Sequence, residues 1–322
     1  MFSVAQFAQA NPLAFHIIII AASLVVLLKA ADLLVFGITN YAKKLGLSDY
    51  LVGLLIVSIG ASTPEFVSSA MGTIASEPGI VLGTILGSNL YGLTLVLGLL
   101  AIIGKKVSLK CAVLEKIEHL IFILGIVPLL FILNGRLSRI EGVVLVGLFV
   151  GYVVFLWSKE GKLGKLKKQV KLKNIYKDAL VAIGCLVALI LSARWLVFSS
   201  IKVAHLFSIP TYLIALTVIA IASQVPDLAI GLRAIFRGHT DVAFGDILGS
   251  LIAKALLLLG ILAIIKPITI SPGILLPSII FTAGALGLTT VLARKHAITY
   301  KHGIALLLVF AAFMIFEILK SI

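Results

Sequence analysis

Shifted by 162 residues, the amino-acid sequence lies on itself, and only a fold made of two related halves satisfies that duplication. "ADLLVFGITNYA" (31–42) falls on "ARWLVFSSIKVA" (193–204). "GTILGSNLYGLTLVLGLLAII" (83–103) falls on "GDILGSLIAKALLLLGILAII" (245–265), with 12 identities in 21 positions. The same ungapped offset sets Pro64 on Pro226.

The halves are built from apolar runs. Of the 322 residues, 61% are hydrophobic and only 12% charged, and mean hydropathy is +1.21, which excludes a soluble globular domain. Runs able to span hydrocarbon, at roughly 20 residues each, fall at 13–38, 48–75, 78–103, 112–134, 138–158, 178–204, 209–235, 242–265, 271–293 and 300–320. The expected fold is an all-α polytopic membrane protein of ten transmembrane helices. The amino terminus, "MFSVAQFAQANPLAF", lacks a basic region ahead of its apolar run, so the first helix is expected to remain.

A net charge of +14 suggests nucleic acid until the basic residues are placed. They sit between spans. With the amino terminus outside, cytoplasmic segments hold 19 of the 27 lysines and arginines, external segments five, and the spans three: Lys29, Arg194 and Lys254. Both termini are therefore expected outside. The basic stretch 159–177 becomes a cytoplasmic loop facing anionic lipid, between a first half (1–158) and a second (178–322). Cys111 and Cys185 show no metal spacing.

Five helices per half is an odd number, so the second half enters the membrane from the opposite side. Inverted repeats place a substrate site at their interface near the midplane, built from interrupted helices. Two segments fit: "SIGASTPEFVSS" (58–69) and "AIASQVPDLAIG" (220–231) each set a proline before a carboxylate in mid-span. Proline removes a backbone donor, so the preceding turn is expected to bend and leave carbonyls free. Glu65 and Asp227, as repeat mates, are expected to face each other.

These segments resemble the two alpha repeats of the sodium/calcium exchanger family, within the cation/calcium antiporter superfamily. The family pattern is matched by "GASTPE" and "GTILGSN" in the first half (motif 58–92) and more loosely by "ASQVPD" and "GDILGSL" in the second (motif 220–254). The resemblance implies alternate binding of sodium and calcium, with helices 1 and 6 sliding past the other eight. It makes Glu65 and Asp227 the carboxylate ligands and Ser62, Ser88, Ser223 and Ser250 hydroxyl ligands. Gln224 replaces a hydroxyl by an amide, while Ser58 and Ala220 contribute backbone carbonyls. It implies inorganic cations and membrane lipid as partners, no cofactor, no enzyme activity, and the plasma (inner) membrane of a prokaryote.

Two positions depart from the pattern. Where the family carries an asparagine or aspartate in helices 3 and 8, this chain has Gly92 and Lys254. Lys254 lies about 18 Å from either end of its helix, beyond the reach of a side chain of about 6 Å, and shares a face with Ser250. A charge at such depth needs a partner. The expected arrangement is an ammonium tethered between Glu65 and Asp227. At about 5 Å it would repel calcium by roughly 6–7 kcal/mol at an effective dielectric near 20, and a monovalent ion by half of that. Two readings follow. Lys254 yields its proton to an entering cation, giving a cation/proton antiporter, or it locks the pocket, leaving a sensor or partner subunit with no transport.

Other polar residues in the spans carry less. Lys29, Asp32 and Arg194 suggest a local pair or a gate. Asp246 suggests a solvated helix-start acid or an entrance carboxylate. His16, Glu118, His119 and Glu317 have no repeat mates of like kind and are read as structural or interfacial.

Overall fold

The structure, a computed structural model, describes residues 10–44, 62–108, 112–160, 175–236, 240–293 and 297–321. Ten helices follow one another among these residues. They are α1 (Pro12–Lys44), α2 (Thr63–Ile74), α3 (Pro78–Ile103), α4 (Ala112–Phe131), α5 (Arg139–Glu160), α6 (Ile175–Phe207), α7 (Thr211–Phe236), α8 (240–265), α9 (Pro272–Ala293) and α10 (Tyr300–Ser321). Short strands β1 (Lys106–Ser108), β2 (Arg136–Leu137), β3 (Ile268–Thr269) and β4 (Ala297–Thr299) lie between helices. Eight of the helices are long and apolar enough to cross a membrane. The other two are α4, whose apolar portion is His119–Phe131, and α2, whose apolar run begins outside the described residues. A chain this apolar becomes helical because hydrocarbon offers the backbone no partners, and a helix satisfies its N–H and C=O groups within one segment.

The duplication reappears in the coordinates. Helix α3 at 78–103 maps onto α8 at 240–265, and the strand register maps with it. Lys106 pairs with Thr299 and Val107 with Ile298; shifted by 162, these become the observed pairs Ile268 with Leu137 and Thr269 with Arg136. The relation that carries β1–β4 onto β3–β2 exchanges the halves. Because β1 precedes α4 and β2 follows it, that relation also exchanges the two ends of the bundle.

Helices α3 and α8 form the centre, with 83% of each apolar window buried against 22% for α1 and for α10. Residues of α3 to α5 and α7 to α10 share one apolar core. A second core joins Ile20, Leu27 and Ala30 of α1 to Leu189, Ala193 and Leu196 of α6.

Glycines set the distance between elements. On α3, a Cβ added to Gly79, Gly83 or Gly87 would meet α7 at 2.7, 2.6 and 2.8 Å, so this stripe brings α7 against the central helix. Likewise Gly98 abuts Gly303 of α10, where a Cβ on residue 303 would lie 2.7 Å from the Gly98 carbonyl oxygen. A backbone oxygen cannot swing aside. Gly303→Ala is therefore expected to lose about 1–3 kcal/mol, the range for overpacking. Gly287→Ala, where the new methyl would make an ordinary 3.8 Å contact with Phe122, is expected to melt like the parent in detergent. Equal melting of the two variants would contradict this packing.

One expectation fails. No break occurs at Pro226: the α-helical part of α7 runs unbroken over Ala220–Phe236 with the proline inside it. A proline deletes a single N–H, and packed neighbours hold the remaining turns in register. The irregularity lies earlier, as a π turn at Ala215–Ile219. Two more π turns interrupt α3 at Gly92–Val96 and α8 at Ala253–Leu258, again at positions 162 apart.

Candidate functional site

Glu65 lies in the first turn of the described α2, after Ser62 at the helix start and Pro64. Proline suits that position because its missing N–H has no helical acceptor there, and a carboxylate is favoured by the positive end of the helix. Asp227 follows Pro226 within α7, and Gln224 sits one turn before it. Lys254 is the second residue of the π turn in α8. Each wide turn takes in one more residue than a regular helical turn and re-aims the side chains around it, and such turns gather at functional sites.

The four side chains converge. Lys254 Nζ lies 3.3 Å from Glu65 Oε1 and 3.7 Å from Asp227 Oδ2, with Lys254 at 1% and Glu65 at 0% exposure. Gln224 Nε2 donates to the same Glu65 Oε1 at 3.4 Å. These distances exceed the 2.7–2.9 Å of a tight charge-assisted bond, so the ammonium bridges both acids and is clamped by neither. Lys254 does not snorkel. Three oxygens around it, Glu65 Oε2, Asp227 Oδ1 and Gln224 Oε1, have no hydrogen-bond partner among the described residues. Buried acceptors are normally satisfied, so an unmet trio in one place is a chemical demand for a cation or for water.

The serine hydroxyls are directed alike in the two halves. Ser88 Oγ donates to Ile85 O at 3.1 Å, and its repeat mate Ser250 donates to Ile247 O at 3.0 Å. Ser223 donates to Ala220 O at 2.9 Å. With each hydroxyl proton directed to its own helix, the lone pairs of these buried oxygens remain as acceptors. The Ala220 carbonyl already accepts one bond and keeps its other lone pair. Ser62 is buried at the start of α2, whereas Ser58 lies outside the described residues. Opposite the lysine, Gly92 leaves room for the glutamine: a Cβ there would stand 3.2 Å from Gln224 Oε1.

Of the other polar residues, Lys29, Asp32 and Arg194 are exposed. Asp246 is a correction. It is buried, at 5% exposure, and so is not a solvated helix-start acid. No group of three or more His, Cys, Asp or Glu side chains is placed to hold a metal ion among the described residues. The π turns at positions 92 and 254 have no signal in the sequence.

Two acidic side chains that meet at one amine in the interior of a helical membrane bundle define the class of protein: the architecture is that of a secondary transporter. The sodium/calcium exchanger protein family matches residues 15–158 and 177–319, and the chain belongs to that family. It is similar to the "Putative antiporter CaxA" of Alkalimonas amylolytica, at 31% identity over 78% of this chain and 81% of that one. It is also similar to "Inner membrane protein YrbG" of Escherichia coli (strain K12), at 30% identity over 77% and 79%. The crystal structure of the "H+/Ca2+ Exchanger CAX" shares the fold, with a TM-score of 0.77 at 16% identity, over 94% of this chain and 86% of that one.

Proposed function

We propose that this chain is a cation antiporter in which Glu65 and Asp227 bind the transported ion and Lys254 occupies the place of that ion when the pocket is empty. The observation that carries the reading is the ammonium at 3.3 and 3.7 Å from the two acids, beside three unsatisfied oxygens. Family membership supports the antiport, and the likeness to an antiporter at 31% identity agrees with it.

Charge then sets the cargo. Two carboxylates and one ammonium leave a single negative charge, which one monovalent cation neutralises. Calcium, which favours six to eight oxygens and several carboxylates, would leave the pocket positive unless Lys254 released its proton. Sodium with the lysine charged, or calcium entering as Lys254 releases its proton, each leave the occupied pocket neutral, and the second exchanges a cation for a proton within the site. In either, Ser62, Ser88, Ser223, Gln224 and Ser250 complete the oxygen shell, with the backbone carbonyls of Ser58 and Ala220. The halves 1–158 and 178–322 cross the membrane five times each, joined by the basic cytoplasmic loop 159–177, with both termini outside a prokaryotic inner membrane.

Gly92 favours a second reading. It supplies no ligand, so a permanently charged Lys254 would hold the pocket shut. Reconstitution separates the two. Purified protein in liposomes under imposed sodium or pH gradients is followed with sodium-22, calcium-45 and a lumenal pH dye. The antiporter reading expects gradient-driven flux from the parent, with Lys254→Asp shifted toward calcium. Silence from the parent in every gradient, with calcium flux gained in Lys254→Asp, establishes the locked reading. Sodium-driven calcium uptake that Lys254→Asp leaves unchanged refutes the lysine's role.

A further inference from the structure

Glu65 stands at one end of a polar face. Beyond it α2 carries Ser68, Ser69 and Thr73, and Ser76 follows just past the last turn, so side chains three or four residues apart succeed one another along one side of the helix. The eleven residues from Glu65 to Ser76 rise about 16 Å, half of a hydrocarbon core of roughly 30 Å. Val67 and Met71, on the other side of α2, pack against the core shared by α1 and α6. The middle of the polar face is unsatisfied: Ser68 Oγ and Ser69 Oγ, both at 0% exposure, have no hydrogen-bond partner among the described residues. A buried hydroxyl on a helix ordinarily donates to the carbonyl one turn back, as Thr73 does to Ser69 O at 2.9 Å. Duplication does not account for this face, because the matching positions beyond Asp227 are Ile230, Gly231 and Ile235. Where the face ends, a cavity of about 210 Å³ opens, with Thr73, Ser76, Glu77, Lys266 and Thr269 in its wall. Glu77 Oε2 accepts the hydroxyl proton of Thr211, at the start of α7, at 3.0 Å. Lys266 Nζ donates to Ser76 Oγ at 2.6 Å and so ties the segment after α8 to the end of α2.

We propose that this face of α2 is the route by which cations reach the central pocket from the end of the bundle where β2 and β3 pair, with Glu77 as the first ligand at its mouth and the Lys266–Ser76 contact as the bar across it. The inference rests on the reading of Glu65 and Asp227 as ion ligands. A cation that meets Glu77 exchanges part of its water for carboxylate oxygen, then passes the hydroxyls of Thr73, Ser69 and Ser68, whose lone pairs accept it in turn, to reach Glu65. The ammonium of Lys266 repels a cation in the same cavity, so it leaves Ser76 for that passage.

The test is thiol labelling of the detergent-solubilised full chain. Against a background of Cys111→Ser and Cys185→Ser, one cysteine is placed on the route, as Ser69→Cys, or on the other side of the helix, as Val67→Cys. Labelling by a small cationic methanethiosulfonate is timed against a neutral one. Residue 69 is expected to react at least about tenfold faster than residue 67, since thiol reactivity follows access. Glu77→Gln is expected to lower the cationic-to-neutral ratio at residue 69 several-fold, and Lys266→Ala to raise it several-fold. Equal labelling of 69 and 67 overturns the route, and a ratio that neither variant moves overturns the mouth. If Ser69→Cys does not fold, Ser68→Cys takes its place under the same criteria. Labelling needs no transport, so the two readings fail separately. Residue 69 inert in a chain that carries flux sinks the route and spares the central site, whereas residue 69 labelled with the expected ratios in a chain silent in every gradient sinks the antiport and spares the route.

Discussion

Replacing Lys254 by alanine yields a protein whose folded state depends on added cation. The substitution removes the amine between Glu65 and Asp227 and leaves two buried acids with no counter-charge. Removing one partner of a buried ionic group costs about 3–5 kcal/mol, because the survivors remain desolvated. An ion entering from solution then takes the place of the amine. Ligand that binds only the folded state adds about 2.7 kcal/mol at a hundredfold excess over Kd, so calcium restores much of the loss and a chelator restores none. The parent carries its own cation and is expected to shift far less. The measurement is melting of detergent-solubilised protein with calcium or with chelator. If Lys254→Ala melts like the parent in both, the ammonium does not stabilise this site.

The second large effect is expected from Glu65→Gln. Oxygen Oε1 of Glu65 receives both Lys254 and Gln224, so this carboxylate links α8 and α7 to α2. Neutralising it removes one of two acidic ligands and leaves Lys254 against Asp227 alone at 3.7 Å. Flux in the liposome assay is expected to fall by at least about 100-fold, since losing several kcal/mol of ion binding removes that much affinity. Stability is expected to fall by about 3–5 kcal/mol as well. Removing the lysine as well, as Glu65→Gln with Lys254→Met, is expected to cost less than the two single changes added together, because the charges interact directly, while transport stays lost. Wild-type flux in Glu65→Gln would remove this carboxylate from the ion path. A double variant as unstable as the sum of its parts would show that the two groups do not act on each other.

The helical membrane class was legible because it rests on local chemistry. A run of about 20 apolar residues has one stable form in hydrocarbon, and its length can be read directly. The duplication was legible too, since the 162-residue offset relates short segments whose order in the chain is plain. Pairing of Glu65 with Asp227 followed from that offset, and Lys254 stood out because a charge in mid-span is costly wherever it points.

What the residues could not reveal depends on neighbours far away in the chain. Pro226 was expected to interrupt its helix, yet the α-helical part of α7 runs unbroken over Ala220–Phe236, because the loss of one N–H leaves the other backbone bonds in place. The π turns that aim Lys254 and open the space at Gly92 come from packing, and no residue type encodes them. Sequence alone determined the membrane class, the duplication and the charges that must meet, since each follows from hydropathy and local order. Tertiary structure decided the distances between those charges and which oxygens were left unpaired, since both depend on how closely separate helices approach.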